Sequence, residues 1–123
     1  MKIIIDTHIF LWALADPVKI AKCKLNELES QTNIIYVSSI TIAELMIKAS
    51  IGKLQINFDP IDLAQQSGFE LLDFSSRDAL LLRDLPFHHR DPFDRMLISQ
   101  SIATKYPLMT DDDNIKLYDC QVI

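Results

Sequence analysis

The chain has 123 residues, 49% of them apolar and 24% charged, with 17 acids against 12 lysines and arginines and a formal net charge of −5. That length suits one domain, residues 1–123, with a real core and globular proportions. The negative charge argues against a nucleic-acid partner unless clustered acids share a cation that reverses the local sign, and no apolar run nears the roughly 20 residues that span a bilayer.

Residues 2–5 are a continuous apolar run, the pattern of a strand buried on both faces, and Asp6-Thr7 ends it. Residues 7–15 read as a helix, broken by Asp16-Pro17, and residues 20–29 as a second. After a turn at 31–33, the β-branched and aromatic run 34–37 predicts a strand. A helix over about 41–50 follows, with Gly52 just past its end. Asp59-Pro60 opens another helix as cap and first residue, and Gly68 closes it. A strand at 70–74, a short helix at 76–82 and a loop at 86–90 come next. Asp91-Pro92 starts the longest helix, which runs to about 104. A strand at 108–110, a brief helix at 114–117 and an edge strand at 121–123 complete the chain.

Strands alternating with helices imply a parallel sheet covered on both faces. Ligands of such sheets bind beyond the carboxyl ends of the strands, so acids at strand ends carry the most information. Met1 to Asp6 has neither the length nor the cleavage site of a signal peptide, and Cys23 and Cys120 are a lone, widely spaced pair, so a cytoplasmic protein with two reduced thiols is expected.

Asp6 stands where the first strand stops, as a helix cap or a ligand. Glu44 fits a capping box with Thr41 and an i,i+4 pair with Lys48, yet it shares a helix face with Ile40, Ile47 and Ile51. Asp91 reads as a cap. Asp94 has Leu97 and Ile98 at i+3 and i+4, so it too is aimed at an apolar face. Asp111, Asp112 and Asp113 follow the last long strand. They read as a solvated turn, as a capping box from Thr110 to Asp113, or as a further ligand supplied by Asp112. A bare cluster of such acids repels itself at neutral pH, whereas Mg²⁺ or Mn²⁺ prefers oxygen ligands and resolves the repulsion. No Cys/His spacing suits zinc, and the adjacent His88 and His89 read as a loop pair.

These segments resemble the PIN-domain family, in particular the VapC-type toxins of bacterial toxin–antitoxin pairs. The stretch from Ile5 to Trp12 looks like that family's first motif, and Ser38 to Leu45, continued by Lys48 and Gly52-Lys53-Leu54, like its second. Leu85-Pro86 with His89-Arg90-Asp91-Pro92-Phe93-Asp94-Arg95 looks like the third, and Leu108-Met109-Thr110 followed by Asp112 like the fourth. The resemblance implies a three-layer α/β/α sandwich around a short, mostly parallel sheet. It implies metal ligands at Asp6, Glu44 and Asp94, with Asp112 as the fourth acid. Thr7 and Thr110 would be supporting hydroxyls, and Asp91 is placed with them. Three successive acids depart from the family pattern, where one is typical.

The activity expected is endoribonuclease chemistry through a metal-activated water, with Mg²⁺ or Mn²⁺ as cofactor. Lys48, Lys53, Arg90 and Arg95 are the candidates for holding RNA phosphates. A cognate antitoxin and a homodimer are implied partners, and Phe10, Trp12 and Leu14 offer either partner surface or core. Competing readings are a receiver-like signalling domain, a non-catalytic binding module and a nuclease for single-stranded DNA. The receiver reading wants an acidic pair after the first strand and a lysine after the last, and neither is present.

Overall fold

The computed structural model describes residues 1–123. Four strands, β1 (Lys2–Ile5), β2 (Ile34–Ser38), β3 (Glu70–Leu72) and β4 (Leu108–Met109), form one parallel sheet in the order β3-β2-β1-β4. The helices are α1 (Thr7–Ala15), α2 (Lys22–Glu29), α3 (Ser39–Ser50), α4 (Pro60–Gln66), α5 (Ser76–Leu80) and α6 (Pro92–Thr104). Short 3₁₀ turns occupy Pro17–Lys19, Leu81–Asp84 and Ile115–Leu117. No helix is long and apolar enough to cross a membrane.

Side chains alternate across a strand, so β1 feeds two cores. Ile3 and Ile5 join Phe10, Val37, Leu45, Phe69 and Met109 on one face, against which Trp12, Leu25 and Leu28 pack. Ile4 joins Leu97, Ile98, Leu108, Ile115 and Tyr118 on the other. The result is a helix layer, a sheet and a second helix layer. It matches the expected sandwich.

The chain winds outward from β1 through β2 to β3, then crosses back to place β4 on the far side of β1. The winding therefore reverses between β1 and β4, the place where an open α/β sheet leaves a crevice at its carboxyl edge. Asp6 ends β1 and the acidic triplet follows β4, so both border that crevice.

Element limits differ from expectation where tertiary contacts decide them. Helix α3 starts at Ser39, two residues earlier than its pattern suggests, because the Ser38 hydroxyl accepts from the Ile40 amide and caps it. Thr41 is therefore not a cap, and Glu44 lies in the second turn, outside any capping box. The strand expected at 70–74 stops at Leu72, and the helix expected at 20–29 begins at Lys22 behind a 3₁₀ turn. The last strand reduces to one parallel bridge between Leu108 and Val122. The box from Thr110 to Asp113 does not form either: the Thr110 hydroxyl accepts from the Asp112 amide instead. Cys23 and Cys120 are free thiols.

Candidate metal centre

Asp6 serves two purposes. Its Oδ1 accepts from the Ile9 amide at 2.8 Å and caps α1. The same carboxylate, 3% exposed, lines a cavity of about 290 Å³ together with Asp94, Asp111, Asp112, His8 and Trp12. Burial raises its pKa above the ordinary carboxylate value, while the Thr110 hydroxyl and the Ile9 amide offset part of that cost. Thr110 thus bridges two acids, touching Asp6 and accepting from the Asp112 amide at 3.0 Å.

Asp94 lies in the first turn of α6, where Asp91 caps the helix by accepting from the Phe93 and Asp94 amides. The Asp94 pKa is pushed up to about 6, first by burial and then by the Asp91 charge, with Asp6 and Glu44 adding to the repulsion. The charges of Asp91, Asp6 and Glu44 thus act on Asp94 in the same direction as its burial, and a cation bound beside it would relieve both.

Glu44 is 4% exposed and does not line the cavity. Its Oε1 accepts from the Thr7 hydroxyl at 2.6 Å, and its Oε2 meets the Lys48 ammonium at 2.6 Å. Thr7 and Thr41 hydroxyls are also 3.3 Å apart, so three polar groups from α1 and α3 share one buried contact. The Lys48 pKa is raised, chiefly by its hydrogen bond to Glu44.

The acidic triplet is divided by its cations. Asp111 pairs with Lys24, whose ammonium also donates to the Thr110 carbonyl at 2.8 Å. Asp113 pairs with Lys116 in solvent. Asp112 turns inward, its Oδ2 2.7 Å from His89 Nε2, while its Oδ1 accepts from the Asn114 amide.

His89 is the site residue that the loop-pair reading misses. Its Nε2 lies 2.7 Å from Asp112 and 3.2 Å from Asp94. The Asp91 amide donates to its Nδ1 at 3.1 Å, which assigns the neutral ring's proton to Nε2 and makes it a donor to both carboxylates. Ligand-capable atoms of His89, Asp94 and Asp112 lie within 4.8 Å of one another; the two carboxylates can hold a divalent cation directly, and the His89 ring joins them as a ligand only on giving up its Nε2 proton. The local signal is the two-residue step from His89 to Asp91; its distant partners are not legible locally.

The basic candidates separate. Lys48 is paired with Glu44, and Lys53 and Arg90 are exposed. Arg95 is 7% exposed and turned inward, which corrects its assignment to RNA. Its guanidinium donates to the Leu85, Pro86 and His89 carbonyls and stacks 4.0 Å from the Phe87 ring. Tyr118 completes this clamp, donating to the Pro86 carbonyl and accepting from the His89 amide. Arg95 thereby holds the loop that carries His89.

A PIN-domain family model matches residues 3–119. The chain belongs to the PIN-domain family. Among solved structures this PIN domain is similar to VapBC2 from Rickettsia felis, solved bound to a DNA fragment from its promoter, with a TM-score of 0.72 and 21% identity over 100% of this chain and 98% of that one. It is similar to DNA-bound VapBC from Salmonella typhimurium, with a TM-score of 0.67 and 17% identity over 100% and 97%. FitAcB from Neisseria gonorrhoeae gives a TM-score of 0.64 and 19% identity over 98% and 96%. At these identities the likeness is one of fold. No curated protein matches the chain significantly.

Proposed function

We propose that this PIN domain is a Mg²⁺-dependent endoribonuclease and the toxin of a toxin–antitoxin pair. The observation that carries the reading is that Asp6, Asp94 and Asp112, from three remote segments, line one cavity at the crevice between β1 and β4, with the Glu44 charge acting on Asp94 from α3. Oxygen donors in that number suit a hard divalent cation, and the raised pKa values of Asp6 and Asp94 register what the acids lack without one. A cation bound there supplies an acidic water and charge stabilisation for phosphodiester hydrolysis.

The chain's own residues do the rest. Asp6 and Asp94 face the cavity as ligands, Asp112 closes it from β4, and Glu44 is held in line by Thr7. His89 keeps Asp94 and Asp112 together through Nε2–H. Lys53 and Arg90 are the exposed cations available to phosphates. Water adds to phosphorus and the 3′ oxygen leaves with a proton, giving a 5′ phosphate and a 3′ hydroxyl.

The family relatives of similar fold include a VapBC pair described as a toxin–antitoxin system, from Mycobacterium tuberculosis. By that likeness the chain takes a protein antitoxin as partner; the proposal also has it work in the cytoplasm and pair with a second copy. The exposed apolar residues Met46 and Ile47 on α3 and Ile51 just past its end, with Ile61 and Leu71, supply surface for such contacts.

The test is incubation of purified protein with single-stranded RNA and single-stranded DNA, with Mg²⁺ or with EDTA. Cleavage of RNA alone, lost in EDTA and in Asp94→Asn, is expected, with 5′ phosphate ends. Cutting of DNA in preference to RNA would make it a deoxyribonuclease. Binding without cutting under every condition would make it a sequestering module.

A further inference from the structure

Five of the six residues lining the acidic cavity are polar or charged, and the sixth is Trp12. A large apolar ring beside a cluster of carboxylates is an unfavourable neighbour for solvent and for the acids alike. One side of the indole packs on the core beneath α1, yet the residue is only partly buried and the rest borders the cavity. His8, one helical turn earlier on the same face, is exposed, and its ring centroid lies 5.9 Å from that of Trp12 at 47°. The pair is the cavity's aromatic wall, and it is anchored on the helix whose cap is Asp6.

We infer that Trp12 and His8 form a stacking platform for one unpaired nucleobase beside the phosphate held at the acids. The inference rests on the nuclease reading above and adds the two side chains that seat the base. A nucleobase is neutral and flat, so it can enter negative walls that repel its own phosphate unless a cation is bound. Stacking on an aromatic face is indifferent to base identity, because every base has a π-face, but it requires a base that is not already stacked in a duplex. The platform thus selects for unpaired nucleotides and leaves sequence choice to other contacts.

Trp12 is the only tryptophan in the chain, so its emission reports this place alone. With Mg²⁺ present, adenosine 5′- and 3′-monophosphate are titrated against the wild-type protein, with ribose 5-phosphate as the control. Saturable quenching by an adenosine monophosphate, reversed by EDTA and not given by ribose 5-phosphate, is expected. In cleavage of single-stranded RNA, Trp12→Leu should raise KM at least about ten-fold with kcat little changed, and Trp12→Phe should recover most of the loss. His8→Ala, at an exposed position, gives a smaller rise in KM and serves as the second variant should Trp12→Leu fail to fold. Wild-type cleavage with no quenching by either nucleotide, or with KM unchanged in folded Trp12→Leu, or with KM unchanged in His8→Ala alongside equal cutting of duplex RNA, overturns the platform and leaves the nuclease reading intact. If the wild type cleaves no RNA with Mg²⁺ or Mn²⁺, the nuclease reading fails and the platform fails with it.

Discussion

The Thr7 hydroxyl donates to Glu44 Oε1 at 2.6 Å, joining the first turn of α1 to the second turn of α3 across 37 positions of sequence. Both groups are buried, so the bond fixes the Glu44 carboxylate and satisfies a lone pair that water cannot reach. Thr7→Val keeps the shape and removes the donor. It should cost about 1–3 kcal/mol, the penalty of a buried carboxylate left short of a partner. Thermal unfolding of Thr7→Val against Thr7→Ser measures it, and the serine variant should retain most of the stability.

Asp94 makes stability depend on pH in a direction opposite to that of a salt-bridged acid. Its pKa is 3.8 when free and about 6 in the fold, chiefly through burial. Between those values the folded chain keeps a proton that the unfolded chain has released, so this group's contribution falls as pH rises through that window. Asp6 shifts in the same direction for the same cause. Melting temperatures in EDTA should therefore decline from pH 4 to pH 6 through these groups. Added Mg²⁺ should restore stability most strongly above pH 6, and Asp94→Asn should flatten the EDTA profile and remove the Mg²⁺ response.

The three successive acids after β4 should behave differently when neutralised singly. Asp112→Asn removes the carboxylate that faces His89 and should abolish cleavage. Asp111→Asn releases Lys24 from one partner but leaves its bond to the Thr110 carbonyl, and should slow cleavage only modestly. Asp113→Asn touches a solvent pair and should change neither rate nor stability measurably. Rates of RNA cleavage for the three variants at one Mg²⁺ concentration decide the order.

Arg95 is expected to act through the loop it clamps. Arg95→Lys keeps the charge, but a single ammonium cannot meet the Leu85, Pro86 and His89 carbonyls together. A loss of about 2 kcal/mol follows from charge-assisted bonds given up in a buried place. The exposed Arg90 peptide should also become a faster site of tryptic cutting as the loop loosens. Unfolding curves and timed digestion check the two effects separately.

Much of this was legible in the sequence because local rules and tertiary roles coincide. Asp6 and Asp91 read as helix caps and are caps, and the alternation of elements gave the parallel sheet that places Asp6 at a crevice. The start of α3 was less legible, since Ser38, Ser39 and Thr41 all offer caps and only the strand's end selects Ser38. His89 was missed because its partners lie on other segments: Asp112 at 23 positions and Tyr118 at 29. Arg95 misled for a related reason. An arginine beside an acidic motif looks like a surface cation, and the carbonyls that draw it inside belong to a loop without local signature.

The most direct measurement of the central claim is calorimetric titration of Mn²⁺ into wild type and into Asp6→Asn, Glu44→Gln, Asp94→Asn and Asp112→Asn, each checked for native circular dichroism. If the four acids form one cation pocket, every substitution should weaken binding at least about ten-fold, since loss of even a supporting contact has an effect of that size. Folded Asp6→Asn and Asp94→Asn proteins that bind Mn²⁺ as tightly as wild type would contradict it.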